Sequence, residues 1–129
     1  MNGAKLLVKM LVKYEVDRIF GVPEDTKVPF CEALQLGSNE ISHITARDER
    51  GAGFMADAYG RFSDKLAIVE CPSSAGSMYT LPPIAGSSAS SVSVILLTID
   101  FPLPHRSDIQ MTFKSIQTKL TESQFDKIC

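Results

Sequence analysis

Ile41–Cys71 reads ISHITARDERGAGFMADAYGRFSDKLAIVEC, and its middle differs in kind from its ends. Ile41–Thr45 (ISHIT) and Leu66–Glu70 (LAIVE) are short and rich in β-branched or apolar residues, the signature of short strands. Between them, Glu49–Phe62 predicts a helix with one side built from Gly51, Ala52, Gly53, Ala56, Ala58 and Gly60. Each glycine in a helix interior costs about 1 kcal/mol relative to alanine, so something must compensate. A helix this bare can approach a sheet or another helix very closely. Met55 and Tyr59, four apart, fall on one face.

The same alternation continues in both directions. Upstream, residues 4–15 predict a helix with Leu6, Leu7, Met10, Leu11 and Tyr14 on one stripe and Asn2 as its cap. Asp17–Phe20 is a short buried strand that stops at Gly21-Val22-Pro23. Lys27–Leu36 follows as a helix, with Asp25 or Thr26 as cap, Pro29 tolerated in the first turn, and Gly37-Ser38-Asn39 as its end. Downstream, the small-residue loop Cys71–Ser77 leads into a helix over Ser77–Ala89 that Pro82-Pro83 should disturb. Val92–Ile99 is a near-continuous apolar run, as expected of a parallel strand covered on both faces.

Strands that alternate with helices predict an α/β domain: three layers, α/β/α, with a mainly parallel sheet. In such sheets ligands lie beyond the carboxyl ends of the strands. Four loops leave those ends here: Gly21–Asp25, Arg47–Arg50, Cys71–Ser77 and Asp100–Pro104. Any small-molecule site should be assembled from them.

Composition narrows the function. The 129 residues fit one domain. Thirteen basic and fifteen acidic side chains give a net charge of -2, so no basic excess draws nucleic acid or an anionic membrane. No apolar run approaches the roughly 20 residues of a membrane span, and no secretory signal is evident. Cys31, Cys71 and Cys129 have no metal spacing and suggest reduced thiols in a cytoplasmic protein. With only His43 and His105, neither a histidine-rich metal site nor a catalytic triad is easily built, and no metal ligands are expected in this chain.

Two stretches could carry chemistry. Arg47-Asp48-Glu49-Arg50 is, by composition, an exposed and charge-paired helix start whose acids suit the macrodipole. The alternative is that one carboxylate turns into the loop edge and handles a proton, held by the close-packing helix behind it. Pro72–Ser77 could cradle a phosphate with backbone donors, or be a tight turn at which two domains approach; it is neither GxGxxG nor a P-loop. Ser73 and Ser74 have no base at motif spacing, and Cys71 has none beside it. His43, within a strand, reads as a core or sheet-surface residue, and His105 as a solvated loop residue.

Taken in order, Phe20-Gly21-Val22-Pro23, then Arg47 to Arg61 (RDERGAGFMADAYGR), then Ser91-Val92-Ser93-Val94 resemble the pyrimidine-binding domain of thiamine diphosphate enzymes. The group they resemble most is the acetolactate synthase, pyruvate oxidase and benzoylformate decarboxylase family. The likeness covers roughly residues 1–104.

The resemblance implies a catalytic role for Glu49. The family's matching glutamate hydrogen-bonds a ring nitrogen of the aminopyrimidine and favours its imino tautomer, which then takes the proton from the thiazolium carbon. A 2-oxo acid is the implied substrate, with the cofactor as electron sink. Val22, Pro23 and Glu24 would lie near the pyrimidine together with Glu49; Ser73, Gly76 and Tyr79 would line the cofactor or the domain contact. The chain departs from the pattern at Glu24 and Ser74, where glycine is usual, at Tyr79, where many members carry asparagine, and at Asp48, where many carry histidine.

Magnesium is expected only through a diphosphate-binding domain, whose glycine-aspartate-glycine motif this sequence does not contain. The resemblance therefore implies a diphosphate-binding domain or subunit as partner and a homo- or hetero-oligomer. The chain is expected to be a single pyrimidine domain, shortened at its C-terminal end, with the diphosphate-binding and middle domains absent. Glu24 and Ser74 keep a second expectation open: a degenerate, non-catalytic domain that serves as a dimerisation or interaction module.

Overall fold

A computed structural model describes residues 3–23, 28–37, 40–72 and 75–98. Four strands form one parallel sheet in the order β2-β1-β3-β4: β1 (Arg18–Gly21), β2 (Ser42–Thr45), β3 (Ala67–Cys71) and β4 (Val94–Thr98). Helices α1 (Gly3–Lys13) and α2 (Val28–Gly37) cover one face; α3 (Glu49–Ser63) covers the other, with α5 (Leu81–Ala89) packed on α3. Between β3 and α5 runs the single-turn α4 (Ala75–Tyr79). This is the three-layer α/β/α domain that the alternation predicts.

The pleat sorts the apolar residues into two cores. Ile19 and Ile68 point to the first face and join Val8, Leu11, Phe30, Ala33 and Leu34 of α1 and α2. Phe20, Ala67 and Val69 point to the other and meet Ala52 and Ala56 of α3, both fully buried. Alternating strand residues thus fill both cores, as a sheet covered on two sides requires.

Of the small residues of α3, Ala52, Gly53 and Ala56 are buried and Gly51 and Gly60 half-buried, whereas Ala58 is exposed and lies off the packed side. A Cβ on Gly53 would overlap the Pro83 ring of α5, and one on Gly60 would come within 2.8 Å of Val92. The packing gained against α5 and the sheet offsets the propensity cost of the glycines.

Three further sequence expectations change. In α1 the buried stripe is Ala4, Leu7, Val8, Leu11 and Val12, whereas Leu6, Met10 and Tyr14 are exposed. Both stripes have helical spacing; the one that faces α2 and the sheet is richer in β-branched residues, and Tyr14 lies beyond the helix end. The helix expected over Ser77–Ala89 is two helices that break at Thr80, whose hydroxyl donates to the Ser77 carbonyl at 2.6 Å. Pro82 and Pro83 sit in the first turn of α5, where proline disturbs nothing. Finally, β4 lies at the end of the strand order and Ile95 is exposed, so this apolar run is not covered on both faces among the described residues. The expected caps Asn2, Asp25 and Thr26, and His105 and Cys129, lie outside the described residues.

Candidate functional site

The carboxyl ends of β1, β2 and β3 lie side by side because β1 pairs with both others, Gly21 opposite Thr45 and opposite Glu70. The segments that leave them carry Val22-Pro23, Ala46 to Glu49, and Cys71-Pro72. The Ala46 amide donates to the Gly21 carbonyl at 2.9 Å and so ties two of these exits together.

The two adjacent acids of the Arg47–Arg50 run have separate tasks. Asp48 is the N-cap of α3: its backbone is extended and its carboxylate accepts from the Gly51 amide at 2.5 Å. Arg47, Asp48 and Arg50 are exposed, as charge runs usually are. Glu49 is half-buried on the first helical turn, where the helix dipole favours an anion. A Cβ on Gly76 would stand 3.0 Å from Glu49 Oε1 and would overlap the Pro72 ring. Glycine at 76 therefore lets α4 close on Pro72 and on the Glu49 carboxylate, bringing the β2 and β3 exits together at one carboxylate.

Of the other sequence-derived candidates, Val22 is half-buried and Pro23 exposed at the end of β1, and Gly76 is buried. Tyr79, the last residue of α4, is 57% exposed and turned to solvent. Glu24, Ser73 and Ser74 lie outside the described residues. Cys71 is fully buried, which suits a packing role. No cluster of three or more His, Cys, Asp or Glu side chains able to hold a metal occurs among the described residues.

One residue at this edge escaped the sequence reading. Glu70 is 0% exposed, on the penultimate residue of β3. Its carboxylate lies across the last residue of β1 and meets His43 Nε2 of β2 at 2.9 Å. A Cβ on Gly21 would stand 2.7 Å from Glu70 Oε1 and overlap its Cγ, so only glycine leaves that space. The available signal was an acid inside an otherwise apolar strand, two strands from a histidine.

The far end of α3 is bound differently. Asp17, just before β1, accepts from the Tyr59 hydroxyl at 2.5 Å and from Lys65 Nζ at 2.7 Å. Lys65, then Tyr59, hold the Asp17 carboxyl below its ordinary range, and the same bond pushes the Tyr59 phenol up. Asp57 is held low by Arg61, four residues on, and accepts from Ser87 of α5 at 2.7 Å. Within the motif ADAYGR, Tyr59 thus ties α3 to the start of β1 and Asp57 ties it to α5, while Arg61 pairs with Asp57 inside the helix.

A parallel α/β/α sheet of this kind defines a class of domains whose ligand sites lie at the carboxyl edge of the sheet, the edge that carries Glu49. Residues 1–126 match the family model of the thiamine pyrophosphate enzyme N-terminal TPP binding domain, and the chain belongs to that family.

The chain is similar to the acetolactate synthase large subunit of Corynebacterium glutamicum, 30% identical over 98 residues, covering 76% of this chain and 16% of that protein. It is also similar to the corresponding subunit of Parasynechococcus marenigrum, 31% over 106 residues (81% and 17%). A third relative is a probable 2-ketoarginine decarboxylase of Pseudomonas aeruginosa, 33% over 98 residues (76% and 17%). The chain thus spans about one sixth of the length of these curated relatives. No helix among the described residues is long and apolar enough to cross a membrane.

Proposed function

We propose that this chain supplies the aminopyrimidine-binding half of a thiamine diphosphate-dependent active site acting on a 2-oxo acid. The observation that carries the reading is Glu49: an acid not used in capping, half-buried on a helix first turn, its Oε1 facing Gly76 where the exits of β2 and β3 meet. The residues present fit the cofactor's heterocycle. A carboxylate can share a proton with a ring nitrogen only if it is withdrawn from water and held in reach. Val22, half-buried just beyond the neighbouring strand β1, would offer an apolar wall, and the buried Ala52 and Gly53 seat the first turns of α3 behind Glu49.

When bound, thiamine diphosphate supplies the electron sink for decarboxylation or acyl transfer. Glu49 orients the heterocycle and holds or releases the proton at its carboxylate. Val22 and Pro23 would border it, and Gly76 lets α4 close on the carboxylate from one side. The diphosphate and its magnesium belong to a partner domain or subunit, so turnover requires an assembly.

The test is Glu49→Gln in the complete assembly. Turnover should fall by about a hundredfold or more while the fold persists; unchanged turnover would reject the assignment.

A second reading is a non-catalytic interaction module. It rests on Phe54 and Phe62, both exposed on α3, Phe62 by 91%. Under that reading the assembled protein would bind its partner yet show no saturable binding of thiamine diphosphate.

A further inference from the structure

We infer that Glu70 and His43 form a positioning brace across the candidate cofactor edge, holding the exits of β1, β2 and β3 at a fixed spacing. The inference rests on the reading of that edge as a cofactor site. Three observations carry it. Glu70 starts on β3 and His43 on β2, and the strand between them is β1. Their 2.9 Å hydrogen bond therefore crosses over β1 and links two strands that are not neighbours. The carboxylate passes through the space that Gly21 leaves empty, directly before Val22-Pro23. Each bridged strand leads within a few residues to a candidate site residue: Pro23 from β1, Glu49 from β2, Gly76 from β3.

The chemistry is costly for a merely structural contact. Glu70 is fully buried and His43 only 21% exposed. Withdrawing a carboxylate from water is expensive, and replacing such a pair with apolar side chains of similar volume is often neutral or stabilising. Ile19 and Ile68 of the same sheet face show that apolar residues pack well here. What apolar side chains lack is direction. A hydrogen bond fixes distance and angle between two strands that are not neighbours, and tolerances of well under an ångström matter where a carboxylate must meet one ring nitrogen.

The double variant His43→Leu/Glu70→Met separates the two roles. It is made in the full chain assembled with its diphosphate-binding partner, and two quantities are read: the melting temperature and the Kd for thiamine diphosphate with magnesium. A brace predicts a melting temperature equal to or above that of the parent, with Kd raised by about tenfold or more. An unchanged Kd overturns the proposal, as does a fall in melting temperature with binding intact.

If the double variant does not fold, His43→Gln and His43→Leu decide, since His43 is partly exposed. Glutamine keeps a donor for Glu70 and should bind within about threefold of the parent, whereas leucine should bind about tenfold more weakly. Equal Kd values for both overturn the proposal. Failure of the unmodified assembly to bind thiamine diphosphate rejects the functional reading itself and the brace with it. Binding by the parent with no effect of the variants rejects the brace alone.

Discussion

The two ends of α3 carry similar chemistry and use it in opposite ways. At its C-terminal end Tyr59 holds α3 to Asp17 before β1 and Asp57 holds it to Ser87 of α5, with Arg61 and Lys65 pairing the two acids. At its N-terminal end one acid, Asp48, is spent on the cap, and its neighbour Glu49 faces the gap between the strand exits. The first end ties the helix to its neighbours; the second presents a carboxylate from that support. Fixed polar groups are useful to a cofactor only when their support is rigid, so the motif that marks the family in sequence is largely scaffold.

That contrast can be broken at either end. The largest expected effect is the loss of turnover in Glu49→Gln, at least about a hundredfold, with melting temperature within a degree or two because a half-exposed isostere disturbs little packing. A similar loss of stability would place Glu49 with the scaffold instead. Next comes Gly53→Val, which drives a branched side chain into the Pro83 ring. Denaturant titration should show a loss of about 3 kcal/mol, in the upper range for overpacking.

Asp48→Ala removes the cap bond and should cost about 1 kcal/mol. Because Glu49 is the next residue, it should also weaken cofactor binding, whereas Tyr59→Phe at the far end should cost about 1 kcal/mol and leave binding untouched. Equal effects of these two on binding would erase the distinction between the ends.

The smallest effect is a pH dependence. Lys65 and Tyr59 lower the Asp17 carboxyl in the folded state. The stability it contributes is therefore present above the ordinary carboxylate pKa and is lost as pH falls through the lowered value. The stability difference between the parent and Asp17→Asn should hold at neutral pH and shrink below about pH 4. A difference that grows on acidification would have the wrong sign.

Much of this was readable from residues. The strand and helix order followed from periodicity and glycine placement, and the close packing of α3 from its run of Gly and Ala. Glu49 came from a family motif, since composition alone favoured an exposed charge run; the division of labour between Asp48 and Glu49 needed the cap geometry. The face of α1 is not decided by sequence, because Leu6, Met10 and Tyr14 share helical spacing with the buried stripe and only the position of α2 separates them. The exposed side of β4 was unreadable for a similar reason: an apolar run reports β-propensity, not rank in the sheet. Glu70 was missed because its partner lies 27 residues away across an intervening strand, a relation that no local pattern encodes.

The strand order also has a consequence for synthesis. β1 leaves the ribosome about fifty residues ahead of the end of β3 at Cys71, yet one of its two hydrogen-bonding edges belongs to β3. At about 5–20 residues per second, Ile19 and Phe20 wait several seconds before both neighbours exist. During that interval α1 and α2 can pair with each other, but the nascent sheet has an open side and an uncovered apolar face. Slowed translation between Thr45 and Ala67 should therefore lengthen the time in which the nascent chain is a client for chaperones, and rapid translation of α3 should shorten it.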